Sequence, residues 1–224
     1  MIDMITIKLD DTWCPEGYND IHVRLLVADV STLMTDEVLL DKAVGMLSPQ
    51  RRAKAEACGN PRVRALSAGA ALAVDRLLSE QDLREQEMEY VEGNHGKPSF
   101  AGIHAHLVFN LSHSGRMVAA VLCQPQGTDI QLGVDIQHIT RYRPELVRRM
   151  FCTEDRSLLA TCQNDEARQR LFTRLWTRAE AYAKATGNGL QFPFATPSPA
   201  AVFHDFLVDE DYCGCICLMP PSKS

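Results

Sequence analysis

The chain has no apolar run approaching the roughly 20 residues of a membrane-spanning helix, so nothing in it predicts a bilayer span. Its opening stretch, MIDMITIKLDDTW, lacks the basic region of a secretory leader and carries acids there instead. An excess of positive charge is also missing. The formal net charge is -6, which argues against a general nucleic-acid or membrane-surface binder and leaves local cationic clusters for a small anionic ligand. No P-loop is present, which weighs against an ordinary nucleotide-dependent phosphotransferase, and no internal repeat is visible. The 224 residues, 46% hydrophobic and 23% charged, suffice for one large globular domain or two small ones, expected in the cytoplasm.

The eight cysteines are expected to be reduced, small and largely buried, with no bridges. In CGCIC, Cys213, Cys215 and Cys217 would share a strand face, whereas paired zinc ligands are usually spaced by two or more residues, so core packing is the better account. His104 and His106 in IHAHL would point the same way from a strand, but with no third ligand they make no metal site.

The pattern predicts an early strand at IHVRLLVADV and a helix at PRVRALSAGAALAVDRLLSE, with Val63, Leu66, Ala70, Val74 and Leu77 on its inner side. EMEYVEGNHGKPSF reads as a strand running into a turn, followed by strands at HLVFNLSHS, MVAAVLC and QLGVDIQHI. Helices resume near Pro144, and a Pro-rich loop, QFPFATPSPAA, leads to a last strand pair. Residues 93–106 are a boundary between halves, giving segments 1–102 and 103–224.

Three stretches carry chemistry. In WTRAEAYAKATGNGL, Trp176, Glu180 and Lys184 fall at four-residue steps and share one helical stripe. Alone, such a Glu–Lys pair is ordinarily a surface ion pair worth about 0.2–0.5 kcal/mol. In LGVDIQHI, the strand alternation sends Leu132, Val134 and Ile136 one way and Gly133, Asp135 and Gln137 the other, setting a carboxylate beside an amide. A divalent cation such as Mg²⁺ takes oxygen ligands and commonly uses one or two protein carboxylates, a need that Asp135 and Glu180 would meet. In FNLSHSG, Ser112 and His113 project to opposite strand faces, which disfavours a hydrolase dyad and suits phosphate donation. GKP at 96–98 and the upstream RRAK and RVR supply Lys97, Arg51, Arg52, Lys54, Arg62 and Arg64, each singly an ordinary surface cation.

The order GKP, FNLSHSG, GVDI, W-T-x-x-E-A-x-x-K and GNGL resembles the Sfp-type 4′-phosphopantetheinyl transferases, from about residue 96 to 190. The resemblance implies an α+β fold of two similar halves related by a pseudo-twofold, with coenzyme A as co-substrate and Mg²⁺, or alternatively Mn²⁺, bound in the cleft between them. It implies attack by a serine hydroxyl of an apo carrier protein, of acyl, peptidyl or aryl type, on the β-phosphorus of coenzyme A, releasing 3′,5′-ADP. By that resemblance Asp135 and Glu180 are metal ligands with Gln137 beside them, and Asp135, Glu180 and Lys184 form the catalytic group. Arg51, Lys54, Arg64, Lys97, Pro98, Ser112 and His113 are coenzyme A contacts. A monomer is implied, with no nucleic-acid or membrane partner. Two positions depart from the family: Gln137 stands where many relatives have Glu, and Ala179 where many have Lys. A noncatalytic relative that binds coenzyme A or carrier protein is the alternative.

Overall fold

Strand-forming runs of Val, Leu and Ala in VRLLVAD and MVAAVLC build the centre of a four-stranded antiparallel sheet. The computed structural model describes residues 4–18, 20–93, 96–125 and 129–220. In chain order, β1 (Thr6–Trp13) and β2 (Val23–Asp29) pair antiparallel, and α1 (Ser31–Thr35), α2 (Glu37–Gly45), α3 (Pro49–Glu56) and α4 (Pro61–Leu78) follow. A short hairpin of β3 (Tyr90–Glu92) and β4 (Pro98–Phe100) precedes β5 (Val108–Ser114), β6 (Met117–Cys123) and β7 (Gln131–His138). Then come α5 (Pro144–Met150), α6 (Thr153–Ala160), α7 (Asp165–Thr186), β8 (Val202–Leu207) and β9 (Tyr212–Met219). The larger sheet has the order β1-β2-β6-β5 and a second sheet the order β7-β9-β8, so the protein is α+β.

Each sheet carries a long helix. Asn60 caps α4 by accepting hydrogen bonds from the Arg62 and Val63 amides, Pro61 opens the first turn, and an Ala-rich face packs on the larger sheet. Between the sheets, Val23, Leu25 and Val27 of β2 meet Leu132, Val134 and Ile136 of β7. This leaves Gly133, Asp135 and Gln137 on the other face of β7, the face that α7 covers. The close approach of α7 depends on Gly133, where a Cβ would lie 2.1 Å from the Ala181 carbonyl oxygen and 2.5 Å from the Ala185 amide nitrogen. Gly187, at φ 70°, ends α7 in the left-handed conformation that glycine tolerates.

The expected strands and the long helices are present, with three departures. Val63 is exposed rather than inward, because it sits in the first turn of α4, beyond the edge of the sheet. His104 lies in a 3-10 turn at Gly102–His104, not in a strand, since Gly102 at φ 60° turns the chain there. β1 was not expected and is held as an edge strand by its register with β2. The part of the expected turn at 94–95 lies outside the described residues. All eight cysteines are unpaired, and Cys213, Cys215 and Cys217 are buried in β9. Among the described residues no helix is long and apolar enough to cross a membrane.

Replacing Gly133 with Ala should push α7 off β7 and lower stability by about 3 kcal/mol, the upper range of overpacking costs. Urea unfolding measures it; a variant as stable as the parent would show that helix and strand do not meet there.

Candidate active site

β5 and β7 are neighbours but share no backbone ladder. Side chains bridge them: Asn110 Oδ1 accepts from the Val134 amide at 2.9 Å, Ser112 Oγ from the Ile136 amide at 3.3 Å, and Ser114 Oγ from the His138 amide at 3.1 Å. Edge amides of β7 would otherwise be buried without partners, a cost of about 1–3 kcal/mol each. Period-2 alternation is what places Asn110, Ser112 and Ser114 on one face of β5, so the FNLSHS stretch is a row of three polar rungs.

The middle rung builds the site. Ser112 Oγ donates to Asp135 Oδ1 at 2.7 Å, and Lys184 Nζ donates to the same two atoms, at 2.8 Å to Ser112 Oγ and 2.7 Å to Asp135 Oδ1. Asp135 is 2% exposed, so its charge depends on these partners. Gln137 Nε2 donates to Asp135 Oδ2 at 3.2 Å, while Gln137 Oε1 accepts from Ser114 Oγ at 3.2 Å. Lys184 comes from α7, one turn after Glu180, as the four-residue step predicts. Trp176 is half-buried, with Phe194 edge-on at 5.5 Å.

Glu180 is the group left over. It is half-buried and has no hydrogen-bonding partner among the described residues; burial, and then the negative charge of Asp135, push its carboxyl above the usual range, against a smaller pull from Lys184. Two neighbouring carboxylates, with an amide beside them, form a hard oxygen donor set that fits Mg²⁺. No group of three or more His, Cys, Asp or Glu side chains with metal-binding geometry occurs among the described residues. The set offered is therefore two acids and Gln137.

Glu180 stands where two clefts meet. One, of ≈ 240 Å³, is lined by Lys97, Pro98, Leu111, Glu180, Lys184 and Leu190. It runs past Gly96, Pro98 and Leu111 into a neighbouring segment of ≈ 450 Å³ that holds Arg51, Lys54 and Tyr90. Together they reach the size of a small-molecule site. The other cleft, of ≈ 460 Å³, lies between Gln137, Arg143, Phe172 and Trp176.

The structure thus brings Asp135, Gln137, Glu180, Lys184 and Ser112 together, with Pro98 and Lys97 along the groove and Arg51 and Lys54 at its far end. His113 is exposed on the opposite side of β5 from Ser112; the surrounding protein, and then the Lys184 ammonium, push its imidazole below the usual value. Arg64 pairs with Asp41 at 2.8 Å and lines neither segment. Lys97 spends its ammonium on two backbone carbonyls, Leu132 at 3.1 Å and Ala185 at 3.0 Å, capping the carbonyl end of α7; burial brings it down to about 8. Arg178 lies 4.8 Å over the Phe203 ring, away from Glu180, and does not stand in for the cation missing at Ala179. Sequence reasoning missed Asn110 and the bridging role of Ser114, for both of which the alternation of the strand carried the signal.

Since the folded state penalises the ionised form of Glu180, the penalty is absent below the ordinary Glu value and appears as pH rises through it. In metal-free buffer, Glu180→Gln should therefore raise the melting temperature at pH 7, with the gain fading below about pH 4. An equal or lower melting temperature at pH 7 would show that Glu180 is not desolvated.

Comparison with known proteins agrees with this geometry. Residues 131–211 match the profile of the 4′-phosphopantetheinyl transferase superfamily. The chain is 31% identical over 161 residues to a putative 4′-phosphopantetheinyl transferase of Synechocystis, covering 70% of this chain and 63% of that relative. It is 29% identical over 201 residues to the 4′-phosphopantetheinyl transferase HetI of Nostoc, covering 81% and 77%, and 33% identical over 118 residues to Sfp of Bacillus subtilis, covering 52% and 46%. The chain thus spans less than two thirds of two of these three relatives. The matched segment contains β7 and α7, and with them Asp135, Glu180 and Lys184, so the chain is similar to the 4′-phosphopantetheinyl transferase superfamily in the part that carries the site.

Proposed function

We propose that this chain is a 4′-phosphopantetheinyl transferase that moves the phosphopantetheine arm of coenzyme A to a serine of an apo acyl, peptidyl or aryl carrier protein. It acts as a cytoplasmic monomer and requires Mg²⁺, with Mn²⁺ as a substitute. The observation that carries this is the Asp135–Lys184 pair at 2.7 Å beside the unpartnered Glu180, at the meeting point of a cation-lined groove and a second cleft.

In this mechanism coenzyme A lies along the groove. Arg51 and Lys54 serve its phosphates at one end, Lys97 and Pro98 flank the nucleotide, and His113 meets phosphate from the β5 side, gaining a proton as it does so. Ser112, on the other face of β5, holds Asp135 and Lys184 in register. The carrier serine approaches Glu180 from the cleft of Gln137 and Trp176. Glu180, a stronger base than an ordinary Glu because of its surroundings, takes the hydroxyl proton. The serine oxygen bonds to the β-phosphorus, and the bond from that phosphorus to the bridging oxygen breaks, so 3′,5′-ADP leaves. Lys184, already oriented by Asp135 and Ser112, offsets the charge growing on the departing phosphate. A divalent cation held by Asp135 and Glu180, with Gln137 beside them, would supply further positive charge to the pyrophosphate.

The long helix on each sheet supports a pseudo-twofold of two similar halves, 1–102 and 103–224, in which the second half lends β5 and β6 to the sheet of the first. Gln137, bonded to Ser114, and the empty position at Ala179 favour one second reading, a noncatalytic relative that binds coenzyme A or carrier without transfer.

With coenzyme A, Mg²⁺ and a panel of apo carrier domains, release of 3′,5′-ADP separates the two. Glu180→Gln and Lys184→Met should each lower it by roughly 100-fold or more. Wild-type binding of coenzyme A without release supports the noncatalytic reading, and full turnover of Glu180→Gln at saturating Mg²⁺ defeats the metal assignment. Gln137→Glu adds a carboxylate beside Asp135, so the Mg²⁺ needed for half-maximal rate should fall while the maximal rate rises little. An unchanged or higher requirement would show that Gln137 does not face the metal.

A further inference from the structure

The groove's far end rests on a buried acid that no motif marks. Glu85, at the start of a 3-10 turn, is 1% exposed and collects donors from three directions. The Ser48 amide donates to Oε2 at 2.8 Å; the Ser48 hydroxyl, at 2.9 Å, and the Tyr90 hydroxyl, at 2.8 Å, both donate to Oε1. Arg51 Nε stands 3.2 Å from the same Oε1. The backbone of Glu85 is itself pinned, since its amide donates to Asp75 of α4 at 2.9 Å and Arg84 grips that carboxylate through two nitrogens.

We propose that Glu85 is a positioning residue for coenzyme A: from behind α3 it fixes the guanidinium of Arg51 against the Tyr90 ring, and so sets the cation that meets the coenzyme's phosphates. This rests on the transferase reading above. Three observations carry it. First, Ser48 occupies the N-cap of α3, the helix of Arg51 and Lys54, yet its side chain makes no cap bond of its own; both its amide and its hydroxyl go to Glu85. Glu85 therefore places the start of the helix as well as the side chain. Second, the Arg51 guanidinium lies 4.6 Å over the Tyr90 ring and 5.9 Å from the Phe109 ring, and Phe100 packs on Phe109 at 4.3 Å. A planar cation on an aromatic floor with one carboxylate at its inner nitrogen has its outer nitrogens aimed by geometry rather than by chance. Third, Arg51 and Tyr90 line the groove segment that joins the catalytic cleft, whereas Glu85 does not reach it. Glu85 thus acts through Arg51, without touching the coenzyme.

Calorimetric binding of coenzyme A, with KM and kcat for transfer, tests this on the full chain, Arg51→Ala, Glu85→Gln and the double variant. Arg51→Ala and Glu85→Gln should each weaken coenzyme A binding roughly 10-fold, as for loss of a charged hydrogen-bonding partner, with a much smaller change in kcat and none in the KM for carrier. The double variant should bind no worse than Arg51→Ala alone, because both changes remove one interaction. Additive losses, or a folded Glu85→Gln with parental affinity, overturn the proposal. If Glu85→Gln does not fold, Glu85→Asp, which keeps the charge but draws it back by one methylene, is put through the same cycle with the same two outcomes. Parental affinity in Arg51→Ala overturns the proposal and the Arg51 contact together while transfer persists; failure of the wild type to bind coenzyme A at all instead removes the transferase reading beneath it.

Discussion

Three side chains on β5 stand in for a backbone ladder. Asn110, Ser112 and Ser114 receive the edge amides of Val134, Ile136 and His138, and this seam is what lets two separate sheets meet without leaving β7 unsatisfied. It also fixes the roll of β7, and with it which face each residue occupies. Leu132, Val134 and Ile136 go between the sheets; Gly133 and Asp135 go toward α7. Were β7 to slip by one residue, Asp135 would be driven into the apolar layer and Gly133 would no longer lie under Ala181 and Ala185.

The electrostatics follow from that placement. A carboxylate as buried as Asp135 needs a cation, and α7 supplies Lys184 from one side while β5 supplies the Ser112 hydroxyl from the other. With Lys184 committed to Asp135, Glu180 one turn earlier is left without a hydrogen-bonding partner among the described residues, in a setting that disfavours its charge. The fold carries this cost at the place where the proposed mechanism calls for both a cation and a proton acceptor. Lys97 has a related role at the far end of α7: its ammonium bonds a carbonyl of β7 and one of the last carbonyls of the helix, so the groove wall and α7 are fastened together.

How much of this was legible depends on range. The alternation in LGVDIQHI and the four-residue steps of Trp176, Glu180 and Lys184 are local periodicities, and both survive in the structure because the two faces of β7 meet different layers and one stripe of α7 meets β7. FNLSHSG was legible as a strand rich in donors, but not that the Ser112 hydroxyl would be spent on Asp135, since that contact spans 23 residues of sequence. The Lys97 ammonium could not be traced from GKP to the carbonyl of Ala185, 88 residues on, because a backbone acceptor leaves no mark in the sequence. Val63 and His104 were misplaced for the same reason: a helix's first turn and a glycine-led 3-10 turn lie where the neighbouring sheet ends, which periodicity does not reveal. Nothing local in EQDLREQEMEY distinguishes the buried Glu85 from its neighbouring acids, because the Ser48 that meets it lies 37 residues away.

The seam can be tested directly by amide hydrogen exchange at Val134, Ile136 and His138 in the parent chain and in Ser112→Ala. If the rungs hold β7, all three amides are protected in the parent, and Ile136 alone becomes much faster in the variant, because its acceptor has been removed. Unprotected amides in the parent, or Ile136 exchange that does not respond to loss of the Ser112 hydroxyl, would contradict the account.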